Sequence, residues 1–220
     1  MVSVIALNPR QPDRGGIEEA VRVLKRGGLV VYPTETFYAL GADGLNEGAV
    51  ADLFAAKGRD FNQPVALIGG SEEDVSLVAE AIPEEARRLM AAFWPGPLTL
   101  LFTASQAVSP RLTAGTGKIG IRISSHPVAL ALARTLGRPL TATSANLSGT
   151  RACDTVEEVM DQLDRRTPLF LDGGRTPGGR ESTILDVSAI PARVIREGAV
   201  DRATIEQLVP LETCKRQDAS

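Results

Sequence analysis

A chain of 220 residues, 43% hydrophobic and 23% charged, is long enough for one sizeable domain with an ordinary core. Its net charge of −3 excludes a generally basic nucleic-acid coat, although 24 Lys and Arg remain available to cluster in a local cleft. Two cysteines without metal spacing and one histidine exclude disulfide frameworks, His-rich zinc sites and, away from His126, Ser-His-Asp triads. No segment approaches 18 apolar residues, so the expectation is a soluble, unexported, cytoplasmic protein that does not enter membranes.

Val2 to Ala6 is the first expected strand, ended by Asn8-Pro9. Residues 17–26 place Ile17, Ala20, Val21 and Leu24 at helical spacing, with Gly27-Gly28 as the stop. The chain is then organised around residues 28–70. An apolar strand, Leu29 to Tyr32, halts at Pro33, which has no N–H for a neighbouring strand. Thr34, Glu35 and Thr36 follow, three polar side chains at a strand end, where binding groups commonly sit. Beyond the glycines at 41 and 44, Asn46 caps a helix carrying Val50, Leu53 and Phe54 on one face, and Gly58 suits its C′ position. Lys57 and Arg59 flank that glycine. They either complement the helix macrodipole or form an anion site facing Thr34 and Thr36, and spacing alone leaves both readings open. A strand from Val65 to Ile68 closes the unit.

Ser71 and Asp74 predict a capped helix to about Ala81, and Pro83 opens another to Phe93. Trp94-Pro-Gly-Pro97 is a rigid corner before a strand from Leu98 to Phe102. Trp94 reads as core packing rather than a base pocket. Ile119, Ile121 and Ile123 alternate with Gly120 and Arg122, which places Arg122 on the face opposite the isoleucines. Gly115-Thr-Gly-Lys118 lacks the P-loop spacing and precedes a strand, so a Walker site is rejected. Pro127 opens a helix through Leu136, stopped by Gly137, with His126 as a cap. A strand from Leu140 to Thr143 leads into Ser144-Ala-Asn146-Leu-Ser-Gly149, small residues that let a ligand approach the backbone. Thr155 with Glu158 caps a further helix. Strands follow over 169–171, 181–187 and 193–195, with a glycine-rich loop at 173–180 that is mobile or tightly wound. Thr204 with Gln207 suggests a small terminal helix. The domain is expected to span 1–211, with 212–220 a disordered tail.

Four strand ends thus carry small hydroxyls with a cation nearby: Thr34/Thr36 with Lys57/Arg59, Lys118/Arg122, Thr143/Ser144/Asn146, and Ser182/Thr183 with Arg196. Ligands of open α/β sheets sit at strand ends, so these groups can converge on one pocket suited to a polyanion. Phosphoryl and nucleotidyl transfer need no covalent nucleophile, because positioning and charge neutralisation carry the catalysis.

The segments PTETFYALGAD (33–43), AAKGR (55–59), WPGPLTLLF (94–102), GIRISSHPVA (120–129), TATSANLSG (141–149), ESTILD (181–186) and VIREG (194–198) together resemble the YrdC-type threonylcarbamoyl-adenylate synthases. They occur in that family's order across about residues 15–200. The resemblance implies a single α/β domain, a twisted mixed sheet with flanking helices around a concave basic pocket. It implies formation of threonylcarbamoyl-AMP and pyrophosphate from ATP, L-threonine and bicarbonate, for modification of a tRNA adenosine by downstream transfer proteins. Weak tRNA binding would accompany it, and Mg²⁺ would be held mainly by ATP. Carried over by motif, Arg59, Ser144 and Arg196 resemble ATP contacts, with Lys57 and Asn146 beside them. Lys57 and Arg59 are the implied catalytic pair. Lys118 and Gln63 match further nucleotide positions. Thr34, Thr36, Arg122, Thr143 and Ser182 fall on the threonine side, Arg122 suiting a bidentate grip on a carboxylate.

The sequence departs from the family pattern at Asp60, where proline is usual, at Ile68, where a histidine often contacts threonine, and at Ala39, where glycine is usual. The competing reading is a non-catalytic RNA-binding module on the same surface. The acidic net charge and nine Phe, Trp and Tyr available for stacking weigh against it. A related carbamoyl-transfer domain of hydrogenase maturation would carry zinc-binding and acylphosphatase segments, for which two cysteines and this length leave no room.

Overall fold

In a computed structural model describing residues 2–163, 167 and 169–212, the strands join in one unclosed mixed sheet. In chain order they are β1 (Ser3–Ala6), β2 (Val30–Tyr32), β3 (Ala39–Gly41), β4 (Ala66–Ile68) and β5 (Leu98–Thr103). Then come β6 (Lys118–Arg122), β7 (Leu140–Ser144), β8 (Leu169–Asp172), β9 (Thr183–Asp186) and β10 (Arg193–Arg196). Their order across the sheet is β1-β8-β2-β3-β7-β4-β6-β5-β9-β10. β8 runs parallel to β1 and β2, β4 to β6, and β5 to β9, while the remaining pairs are antiparallel. The expected α/β architecture with flanking helices is present.

The helices begin and end where local chemistry directs. α1 (Arg14–Lys25) starts three residues before the expected position, because the Asp13 carboxylate accepts from the Gly16 N–H at 2.8 Å. α2 (Glu47–Lys57) is capped by Asn46, whose side chain accepts from Ala49 N–H at 3.1 Å, and Gly58 ends it in the left-handed region at φ 56°. α6 (Pro127–Leu136) has His126 Nδ1 accepting from the Val128 N–H at 3.2 Å, proline in its first turn and Gly137 at φ 69°. In α7 (Val156–Leu163) the Thr155 hydroxyl accepts from Glu158 N–H, and the Glu158 carboxylate reaches back to the Asp154 N–H.

Elsewhere the structure corrects the expectation. Residues 39–41, where no strand is expected from the sequence, form β3, which pairs with both β2 and β7. A short helix, α5 (Pro110–Thr113), was not anticipated. In α3 (Glu72–Val78) the Ser71 side chain makes no cap. Asp74 instead accepts from the Gly70 N–H at 2.7 Å. α4 (Glu84–Phe93) starts just after Pro83 as expected. Thr204 lies inside α8 (Arg202–Glu206), which Asp201 precedes. Glu212, placed at the head of a loose tail, donates its N–H to Ala192 O at 2.8 Å. The rest of that proposed tail lies outside the described residues.

Two apolar layers sandwich the sheet. One is built from α1 and α6 against β2, β8 and their neighbours, including Ile17, Leu24, Leu132 and Leu169. The other takes Leu53, Phe54, Leu89, Leu100, Ile121 and Phe170. Because strand side chains alternate, Ile119 and Ile121 enter this larger core and Arg122 is left to the opposite face. Together with Thr99 and Ile184, Arg122 there lines an open concave cleft rather than core.

Candidate active-site cleft

The cleft is open to solvent, with about 780 Å³ of empty space when its mouth is counted. Its wall carries Arg59, Arg122 and Arg196 against one carboxylate, Glu181. Thr34, Thr36, Thr143, Ser144 and Ser182 supply hydroxyls around them. Residues at opposite ends of the chain therefore meet in one cavity.

The loop from β2 to β3 is set by Thr34. Its hydroxyl donates to Phe37 O at 2.7 Å and accepts from the Thr36 N–H at 3.2 Å. The Thr34 and Thr36 hydroxyl oxygens lie 3.1 Å apart, and since Thr34 has spent its proton, Thr36 is the donor. The glycine-rich loop is strapped beside it: Gly178 N–H donates to Thr36 O at 2.7 Å and Thr176 N–H to Asp154 O at 2.8 Å. Tyr38 adds a third tie, donating to Gly174 O at 2.6 Å. The segment 173–180 is thus tightly wound, with glycines 174, 178 and 179 at positive φ.

After α2 the chain curls around the guanidinium of Arg59. Nη2 donates to Pro64 O at 2.9 Å, Nε to Gln63 O at 3.3 Å and Nη1 to the Thr143 hydroxyl at 3.4 Å. Burial pulls the Arg59 pKa below its ordinary value. Gln63 contributes its backbone carbonyl here and its residue is exposed. Asp60 closes the same curl, its carbonyl accepting from Gln63 N–H at 3.2 Å.

Lys57 does not face Thr34 and Thr36. It is buried behind the wall, donating to the backbone oxygens of Ser144 and of Asn146, the latter at 2.6 Å, and to Asn146 Oδ1 at 3.2 Å. With three acceptors its ammonium has no donor left for a ligand. Asn146 is also behind the wall, its Nδ2 donating to Thr150 O at 2.7 Å and its Oδ1 accepting from the Ser144 hydroxyl. Ser144 alone of these three lines the cleft.

On the far wall, Arg196 lies along residues 181 and 182. Nη2 donates to Ser182 O at 2.9 Å and to its hydroxyl at 3.2 Å, and Nη1 pairs with Glu181. Thr99 donates its hydroxyl to Ser182 Oγ at 3.0 Å. Lys118 stands apart from the cleft wall. It sits at the opposite end of β6 from Arg122, four residues or about 13 Å away. There it forms an ion pair with Asp186 at 2.5 Å. Burial pushes the Asp186 carboxyl up, but Lys118 and Ser188 outweigh it and hold the group below its ordinary value. Ile68 is fully buried in the smaller core beside Arg122, so the departure from histidine there is filled by packing. Ala39 lines the cleft from β3. Trp94 packs on the larger core and donates to Leu98 O at 2.6 Å, away from the cleft.

Sequence reasoning gave no role to Thr99 or Glu181 and named Glu35 only as one of three polar side chains at a strand end, because a side chain between better-marked neighbours carries no spacing signal of its own. Among the described residues no group of three His, Cys, Asp or Glu could hold a metal ion, and no helix is long and apolar enough to cross a membrane.

A family model for Sua5, YciO and YrdC proteins, described as "Telomere recombination", matches residues 22–198. A threonylcarbamoyl-AMP synthase of Pyrococcus abyssi is 37% identical over 193 residues, covering 88% of this chain and 57% of that protein. One of Bacillus subtilis is 39% identical over 194 residues, covering 88% and 56%. This chain therefore spans just over half the length of those two relatives. The crystal structure of P. abyssi Sua5 complexed with L-threonine superposes with a TM-score of 0.90 at 34% identity, covering 96% of this chain and 63% of that one.

Proposed function

The chain belongs to the Sua5/YciO/YrdC family, and from that premise we propose that it is an enzyme, a nucleotidyltransferase. In this reading it forms threonylcarbamoyl-AMP and pyrophosphate from L-threonine, bicarbonate or CO2, and ATP, serving N6-threonylcarbamoyladenosine synthesis on tRNA. The observation that carries the reading is the meeting of Arg59, Arg122, Ser144 and Arg196 in one cleft. Relatives with the synthase name, and a structural neighbour holding L-threonine, support it.

Arg122 takes the threonine carboxylate, with Thr36 and Ser182 offering hydroxyls to the rest of the amino acid. Arg59 and Arg196 neutralise the phosphates, with Ser144 beside them on the cleft wall. Lys57 acts behind the wall by fixing the carbonyls of 144 and 146. The amine of threonine attacks CO2, forming a C–N bond as one C=O π pair moves onto oxygen and the nitrogen gives up a proton to water, which yields a carbamate; from bicarbonate the same carbamate forms with loss of water. A carbamate oxygen then bonds to the α-phosphorus as the P–O bond to pyrophosphate breaks. Among the described residues no acidic cage is present; in this reading Mg²⁺ enters as part of the nucleotide substrate, with no residue assigned to it. The labile adenylate passes to downstream transfer proteins in the cytoplasm, with weak tRNA binding at most.

The test is one incubation with labelled bicarbonate. A labelled adenylate that requires both ATP and threonine is expected. Pyrophosphate release without threonine, or tight RNA binding without turnover, would favour the RNA-binding alternative instead.

A further inference from the structure

Glu35 stands between Thr34 and Thr36, both on the cleft wall, yet its own side chain is absent from that wall. Its Oε1 lies 3.1 Å from Arg122 Nε, and its Oε2 accepts from the Ser124 hydroxyl. Ser124 Oγ in turn accepts from the His126 N–H at 3.2 Å, at the start of α6. Contacts therefore run unbroken from the head of a rigid helix, through Ser124 and Glu35, to the guanidinium that faces the cleft.

The two charged side chains are only 13% and 9% exposed. Neither Glu35 Oε1 nor Arg122 Nε has an aligned hydrogen-bond partner, although they are within ion-pair distance. The attraction is one of charge rather than of a directional bond. It draws the Nε side of the guanidinium toward the β2–β3 loop and leaves the Nη fork as the part that meets the cleft. A role for Glu35 as a proton acceptor does not fit. Oε1 is closed to solvent and Oε2 already holds a hydroxyl.

We propose that Glu35 is a positioning residue, which sets the Arg122 fork to receive the carboxylate of the amino-acid substrate. The inference rests on the reading of the cleft as a threonylcarbamoyl-AMP synthase site. It adds a specificity element to that site: an arginine braced from behind presents two parallel donors in one orientation, matched to a planar carboxylate.

Steady-state kinetics of Glu35→Gln test it. The KM for threonine rises by about tenfold, kcat at saturating threonine falls less than about threefold, and the KM for ATP does not rise. Glu35→Asp, which restores the charge, recovers part of the threonine KM. An unchanged threonine KM in a folded Glu35→Gln protein overturns the inference, as does an equal rise in both KM values. If Glu35→Gln does not fold, Ser124→Ala decides. That variant removes the hydroxyl on Oε2, and with it the acceptor of the His126 N–H, and raises the threonine KM by about threefold, whereas no rise overturns the proposal. A wild-type protein that makes no threonine-dependent adenylate would instead strike the parent reading.

Discussion

The ammonium of Lys57 donates to the carbonyl of Asn146 at 2.6 Å, joining the end of α2 to the loop after β7 across 89 residues of sequence. Burial, with the positive charge of Arg59 added, pushes that amine down to about 7 from an ordinary 10.5. Between those two values the unfolded chain binds more protons than the folded one, so the contribution of this group to stability rises with pH. The stability of wild type relative to Lys57→Met, measured by denaturant titration, therefore increases from pH 7 to pH 9.5. A difference that stays flat would mean the amine titrates normally. The same variant frees the 144–146 backbone and lowers turnover through Ser144.

Arg59 is held by Gln63 O, Pro64 O and the Thr143 hydroxyl while remaining on the cleft wall. Arg59→Ala is expected to lower kcat by about 10²- to 10³-fold, the usual loss for one donor aimed at developing charge. Thermal unfolding shifts little, because these contacts lie at a partly open surface. Arg59→Lys does not restore the rate, since a single ammonium cannot reproduce the fork. Pyrophosphate release and circular dichroism melts check both points.

At Gly198 an added Cβ would come within 2.3 Å of Glu181 O and 2.5 Å of the Ser182–Thr183 peptide. These are backbone atoms and cannot move aside alone. Gly198→Ala is expected to destabilise the protein by about 2–3 kcal/mol and to lower activity by displacing the cleft wall at Ser182. Urea unfolding with parallel assays would show the two losses together; a fully active, fully stable variant would place Gly198 outside the support of the site.

His126 caps α6 through Nδ1, which can accept only when neutral. Burial lowers its pKa, with Glu35 opposing. Stability tied to the neutral ring is therefore complete above the unfolded value of about 6.5 and falls as pH drops through it. His126→Ala costs about 1 kcal/mol at pH 8, and this penalty shrinks below pH 6. Substrate turnover at pH 8 is expected to survive, which separates a cap from a catalytic histidine.

The helices were legible where one residue decides each end: Asn46 and Gly58 for α2, His126, Pro127 and Gly137 for α6. The placement of Arg122 opposite the isoleucines followed from strand alternation and holds. β3 was not legible, because three residues ending in glycine give no alternation and its partners lie on β2 and β7. Of the strand-end residues expected to converge, Arg59, Arg122, Ser144 and Arg196 share a cleft, whereas Lys118 stands apart from it. Motif order could not separate wall from support. Lys57 and Asn146 sit in the same short motifs as Arg59 and Ser144, and only the direction of each side chain tells them apart. Glu35 stood out only as a polar residue at a strand end, since its pairing with Arg122 is made across the sheet.

The strand order has a consequence for biogenesis. β8 is inserted between β1 and β2, and β9 lies beside β5, so late-made segments complete neighbourhoods begun by early ones. Such distant pairings close slowly. A nascent chain leaving the ribosome holds Thr34 and Thr36 long before Arg196 exists, and no N-terminal fragment stopping short of β10 has the whole cleft. During translation the half-made sheet exposes apolar strand faces, the interval in which chaperones would be most needed.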